Sequence, residues 1–178
     1  MPITTRPMSQ SVTRKRTKTA RYLLFGVSAS LIVLVDQLTK FWAEANLEGQ
    51  GSVPVIGELL QFRLAYNNAA AFSLGVGATW VLTTISLAAT VALILLSPRI
   101  KSMTWALIGG MALGGAAGNL IDRAFKQPQF FNGHVVDFIQ IPFNFPIFNL
   151  ADTFLVIAVS LAILRTLLGD EIGGGRAK

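Results

Sequence analysis

Apolar residues gather in four blocks long enough to cross a bilayer, and polar residues collect in the joints between them. The first block runs from Tyr22 through Val35 and continues without a break through Asp36-Gln37-Leu38-Thr39-Lys40, predicting a helix over 22–43. A basic stretch ahead of an apolar run has the outline of a signal peptide. No small-residue cleavage site follows, so the helix is read as uncleaved. No charge occurs between Arg63 and Arg99, too long a stretch for one span of about 20 residues. Asn67-Asn68, Gly75 and Gly77 divide it into an interfacial re-entry over 64–75 and a second helix over 77–97. A third helix is predicted over 103–124, and a fourth from Asn149 or Ala151 to Leu168.

The joints differ from the helices in composition. Residues 44–63 carry Glu44, Glu48 and Glu58 among Gly49, Gly51, Pro54 and Gly57, a turn-rich pattern. Val53–Arg63 has β character and predicts a short strand or small sheet. Residues 126–147 hold Pro128, Asn132-Gly133, Pro142 and Pro146 and are read as non-helical. The predicted fold class is an all-α membrane protein of four transmembrane helices with a small β-containing extracytoplasmic segment. Residues 1–21 are expected to be a disordered basic tail, 22–168 the membrane domain, and 169–178 a flexible tail.

Composition supports a lipid solvent. Apolar residues make up 52% and charged residues 13%, against about 25% charged in soluble domains. The net charge of +6 could suggest nucleic acid. However, Arg6, Arg14, Lys15, Arg16, Lys18 and Arg21 all precede the first apolar run. Such a cluster beside a span sets topology or meets anionic lipid, and no nucleic-acid partner is expected. Eleven Lys and Arg fall on the side of the two termini and four on the other. By the positive-inside rule both termini are cytoplasmic, and the two long joints share the outer face. With no Cys there is no disulfide framework or thiolate nucleophile.

That topology draws Asp36, Lys40, Asn67, Asn119, Asp122, Arg123, Asp137, Asn149 and Asp152 to one membrane boundary. His134 is the only histidine; no Ser-His pair stands out around it, and one histidine makes a zinc site poor; neither metal nor cofactor is expected. Carboxylate chemistry remains. Asp36 and Lys40 are spaced as an ordinary helix ion pair. Asp122 beside Arg123 reads as structural or solvated. Asp137 lies among Val135, Val136, Phe138 and Ile139, and Asp152 between Leu150 and Phe154, both without a cation nearby in sequence. An isolated Asp in hydrocarbon costs roughly 2.5–3.5 kcal/mol, which favours a functional role, although Asp152 could simply cap a helix. Ala106, Gly110, Gly114 and Gly118 repeat every fourth residue and predict a close helix contact.

Five blocks, in order and spacing, resemble the bacterial lipoprotein signal peptidase (signal peptidase II) family. They are Val35–Lys40, Asn67-Asn68-Ala69-Ala70-Ala71-Phe72, Gly114–Arg123, Val135-Val136-Asp137-Phe138 and Phe148-Asn149-Leu150-Ala151-Asp152. The resemblance implies an intramembrane aspartyl protease of the inner membrane, with its active site at the extracytoplasmic face. Such an enzyme removes signal peptides from prolipoproteins already modified with diacylglycerol. It implies Asp137 and Asp152 as the catalytic pair, Asn67, Asn119, Arg123 and Asn149 as substrate- and inhibitor-binding residues, and Asp36 and Lys40 as structural support. It also implies contact with membrane lipid, inhibition by the cyclic peptide globomycin, and a monomer. One departure is Ala69, where the family usually has Gly. Two other classes remain open: a proton-coupled carrier, which would spread carboxylates through membrane depth, and a scaffold assembled through the small-residue face.

Overall fold

The computed structural model describes residues 8–68 and 79–173, with side chains from residue 16. Among the described residues four helices are long and apolar enough to cross a membrane. They are α1 (Met8–Leu47), α2 (Thr79–Leu96), α3 (Met103–Phe125) and α4 (Leu150–Leu167). Three strands, β1 (Val53–Ile56), β2 (Leu60–Asn67) and β3 (Val135–Gln140), form an antiparallel sheet in that order. The helix positions agree with the sequence reading to within a few residues, with one exception. The segment expected to be a disordered tail is helical from Met8 onward. No proline or glycine interrupts the chain between Pro7 and Gly26, so the spanning helix propagates backward at little cost per residue. At the other terminus, residues 169–173 are tied down rather than loose: Arg165 pairs with Asp170 at 2.8 Å, and Lys101 N donates to Ile172 O.

Helix α3 is the central post: α1, α2 and α4 each pack against it, and α2 makes no broad contact with α1 or α4. In lipid the hydrophobic effect does not drive helices together, so close packing of small residues must. The predicted row supplies this. A Cβ on Gly110 would collide with Ser28 Oγ, one on Gly114 would lie 2.7 Å from Ile32 Cβ, and one on Gly118 would lie 2.6 Å from Asp36 Oδ2. The opposite flank of α3 meets α4 equally closely, since a Cβ on Gly115 would lie 2.7 Å from Leu155 Cγ.

The sheet bears out one expectation and corrects another. Val53–Arg63 forms the small sheet, as a hairpin turning at Gly57, whose φ is +53°. The region read as a re-entry from residue 64 is strand as far as Asn67, while 69–75 lie outside the described residues. The third strand, from the joint read as non-helical, pairs Ala65 with Asp137 and Asn67 with Val135. Its first four residues are buried, so β3 has no alternating polar face to advertise it as a strand. The sheet is fastened to α1 by an aromatic triangle. Trp42, Phe62 and Phe138 meet edge-to-face with centroids 5.4–6.5 Å apart, each such pair contributing about 0.5–1.5 kcal/mol beyond its buried area.

The α1–α3 contact yields an expected outcome. Gly114→Val should lower the thermal unfolding midpoint in detergent, because overpacking costs roughly 1–3 kcal/mol. Gly26→Ala, whose Cβ would meet nothing within 4 Å, should leave the midpoint unchanged or raise it, since Ala is the better helix former. Equal midpoints for the two variants would contradict this packing.

Candidate active site

The site begins with a charge buried at the sheet end of the bundle. Lys40 and Asp36 share one face of α1, four residues apart, and meet at 2.8 Å. Lys40 Nζ also reaches Asp122 Oδ2 at 2.9 Å and donates to Asn119 Oδ1 at 2.9 Å, both on α3. All three charged side chains have zero exposure. Asp122 is therefore no solvated interface charge. It joins the ion network, and the signal for this was its place one turn beyond Gly118 in the small-residue row.

The second oxygens of both carboxylates, and some of the first, accept bonds from other elements. Asp36 Oδ1 accepts from Ala151 N of α4, and Asp122 Oδ2 accepts from Val136 N of β3. Gln37, which the sequence reading passed over, donates from Nε2 to Asp36, Asp122 and the Gly118 carbonyl. Buried ions are tolerated when their remaining lone pairs and protons are bonded, and here four elements supply the partners.

Above this base lie the residues the sequence had gathered. After β3 the chain loops out and returns, Phe148 N donating to Ile139 O and Ile139 N to Phe148 O. That pairing sets Asn149 beside Asp137, and Asn149 Nδ2 donates to Asp137 Oδ1 at 2.6 Å. Asn149 is also the N-cap of α4: its Oδ1 accepts from Asp152 N, and Asp152 Oδ2 accepts from Asn149 N, a reciprocal capping box. Asn119 completes the chain, accepting from Lys40 and Asn149 at Oδ1 and donating to Asp152 Oδ1 at 2.7 Å. Asn67, at the end of β2, donates to Asp137 Oδ2 at 3.0 Å.

Asp137 and Asp152 thus stand at the two ends of an asparagine relay. Asp137 is buried at 2% exposure, whereas Asp152 is half-buried. Burial pushes the Asp137 carboxyl up to about 6 and the Asp152 charge adds to this; the bonds from Asn67 and Asn149 and the Lys40 charge pull it back. Arg123 is half-buried one residue beyond Asp122, under the charges of Asp152, Asp137 and Asp122, and its Nε has no hydrogen-bond partner among the described residues. Every site residue that the sequence flagged therefore lies at the sheet end, and the carboxylates are not spread through membrane depth. Among the described residues no three His, Cys, Asp or Glu side chains are grouped to hold a metal. His134 instead lines a neighbouring cleft of about 470 Å³ with Glu44, Tyr66 and Lys126.

A bundle of spanning helices with two carboxyls held at its sheet end by asparagines can be compared with known proteins. A solved bacterial membrane enzyme structure, determined by the in meso method at 1.9 Å resolution, superposes with a TM-score of 0.71 at 31% identity, covering 82% of this chain and 92% of that one. The family model described as Signal peptidase (SPase) II matches residues 28–168. The lipoprotein signal peptidase of Leifsonia xyli subsp. xyli is 39% identical over 96% of this chain and 79% of its own length. That of Rhodococcus jostii is 41% identical over 94% and 81%. The chain belongs to the signal peptidase II family, and its activity is cleavage of signal peptides from lipoproteins.

Lys40→Met should destabilise the fold by roughly 3–5 kcal/mol, because it leaves two buried carboxylates without their cation. Thermal unfolding in detergent measures this. A midpoint unchanged from the parent would mean that the network does not hold the bundle together.

Proposed function

We propose that Asp137 and Asp152 are the catalytic pair of an aspartyl endopeptidase that cleaves diacylglyceryl-modified prolipoproteins at the outer face of the bacterial membrane. The observation that carries this reading is the asparagine relay, which holds two carboxyls in one electrostatic site at a membrane boundary. Two interacting carboxyls titrate as a unit and retain one proton more readily than two separated ones. Asp137, the more buried and with its carboxyl pushed up to about 6, carries that proton. Asp152, half open to its surroundings, takes the part of the base.

In the forward step Asp152 accepts a proton from water as the oxygen attacks the scissile carbonyl carbon. Asp137 gives its proton to the carbonyl oxygen, forming a neutral gem-diol. Collapse of the diol breaks the C–N bond as Asp152 gives its proton to the leaving nitrogen and Asp137 takes one from a diol hydroxyl, which restores both carboxyls to their starting states. No cofactor enters this balance. The asparagines do not titrate, so they fix the carboxyls without competing for the proton. Arg123, whose Nε lacks a partner among the described residues, and Asn67, at the end of β2, take the part of binding the substrate backbone in this reading. Among the described residues α2 and α4 share no broad contact, which supports a lateral path for the lipid-modified peptide from the bilayer. The excess of Lys and Arg on the side of the termini supports the orientation, with both termini cytoplasmic.

Asp137→Asn and Asp152→Asn should each reduce cleavage of a diacylglyceryl-modified prolipoprotein in a gel-shift assay by at least about a hundredfold, the usual scale of acid–base assistance. Both should keep the parent's unfolding profile. Full cleavage by a well-folded Asp152→Asn protein would reduce that residue to a helix cap.

The pH profile provides a second check. A group that must be protonated and titrates near 6 gives a kcat/KM that falls as pH rises through about 6. The Asn67 bond lowers the Asp137 value, so Asn67→Ala should move that falling limb to higher pH. A limb that stays fixed or moves to lower pH would separate Asp137 from the titration that controls the rate.

A further inference from the structure

A cavity of about 460 Å³ opens at the opposite end of the bundle, between α1 and the α2–α3 connection. Lys18, Arg21, Tyr22, Pro98, Ile100 and Lys101 line it, and among the described residues no carboxylate does. Two of its cations lie on the part of α1 that precedes the apolar run, and the third on the short turn between α2 and α3. The helical extension of α1 is what brings them together.

Several observations mark this as more than a scatter of surface charge. Arg21 Nε is buried without a hydrogen-bond partner among the described residues. A buried donor without an acceptor is costly, and an anionic oxygen would satisfy it. Lys18 Nζ stands 5.9 Å above the Tyr22 ring, at the junction of apolar span and charged turn, where aromatic residues meet lipid headgroups. Lys101 is anchored through its backbone N–H to Ile172 O, and the following Ser102 caps α3. The acids of this region do not quench the site. Asp170 is paired with Arg165, and Glu171 is exposed and outside the cavity wall.

We propose that this cavity binds the phosphate headgroup of an anionic phospholipid. Lys18, Arg21 and Lys101 surround the phosphate, while Tyr22, Pro98 and Ile100 receive the glycerol and the first acyl carbons. A lipid fits better than a soluble phosphate because the wall is part cationic and part apolar, and it sits where the spanning helices leave the bilayer. Arg21 supplies the planar fork that phosphate oxygens favour, and the two lysines supply point charges. The bound lipid would pin the α1 extension to the α2–α3 turn, far from the carboxyl pair.

The test uses the full chain in neutral detergent, titrated with short-chain phosphatidylglycerol, short-chain phosphatidylcholine and inorganic phosphate, with binding read by native mass spectrometry and thermal shift. Phosphatidylglycerol should bind most tightly and raise the unfolding midpoint. Lys18→Gln, Arg21→Gln and Lys101→Gln should each weaken it about fivefold. Arg16→Gln and Arg99→Gln, outside the wall, should not weaken it, and prolipoprotein cleavage should persist in all five. Equal binding of phosphatidylcholine would overturn the proposal, as would equal weakening by Arg16→Gln and Arg99→Gln, which would indicate diffuse attraction. Saturation by inorganic phosphate at the same concentration would overturn the lipid assignment. Should Arg21→Gln fail to fold, as loss of cleavage would reveal, the Lys18→Gln and Lys101→Gln pair carries the same test.

Discussion

Lys40 places a full positive charge in a part of the protein with no access to water, and the geometry around it follows from the need to satisfy that charge. Its ammonium has three hydrogens and three oxygen partners: Asp36 from its own helix, Asp122 and Asn119 from α3. Two carboxylates around one ammonium leave an excess negative charge, and backbone donors from α4 and β3 together with Gln37 stabilise it. Directional bonds of this kind do in lipid what apolar burial does in water. They specify which helices meet, at which height and in which rotation.

The same network sets the stage for chemistry. Asn119 belongs to both layers, taking a bond from Lys40 below and giving one to Asp152 above. A shift of α1 against α3 would therefore be felt at the carboxyl pair. Asn149 likewise has two tasks, capping α4 and holding Asp137. Its cap and the return of Phe148 onto β3 place a strand residue and a helix residue, fifteen positions apart, in one electrostatic field. The asymmetry between the two acids follows from position. The strand carboxyl is enclosed by the sheet and helices, whereas the helix carboxyl stays partly open. That difference suits two groups that divide the roles of acid and base.

Much of this was legible in the chain. Four apolar blocks and a row of small residues foretold the spans and a close helix contact on that row, and isolated carboxylates in hydrophobic runs pointed to the side chains that the fold gathers at the sheet end. The cost of charge in hydrocarbon is a local property, and it singled out Asp137 and Asp152 without any coordinates. Other features left no local signal. β3 reads as an apolar run with one acid because both its faces are buried. Whether Asp122 was structural or solvated stayed open because its partner Lys40 lies on another helix. Gln37 looked ordinary because its three acceptors come from two helices. The helical start of α1 was hidden by a polar composition typical of loose tails, although nothing in it breaks a helix.

The amino-acid sequence by itself determined the solvent, the number of crossings and the short set of polar side chains too expensive to be idle. Those properties depend on transfer free energies and spacing, which each residue carries with it. Tertiary structure alone decided that one lysine would bind three acceptors from two helices, that a returning loop would seat an asparagine between two acids, and that a helical extension would complete a basic cavity at the far end. Hydrogen bonds and ion pairs depend on distance in space and fall away within a few ångströms, so partners separated by dozens of residues become visible only once the chain has folded.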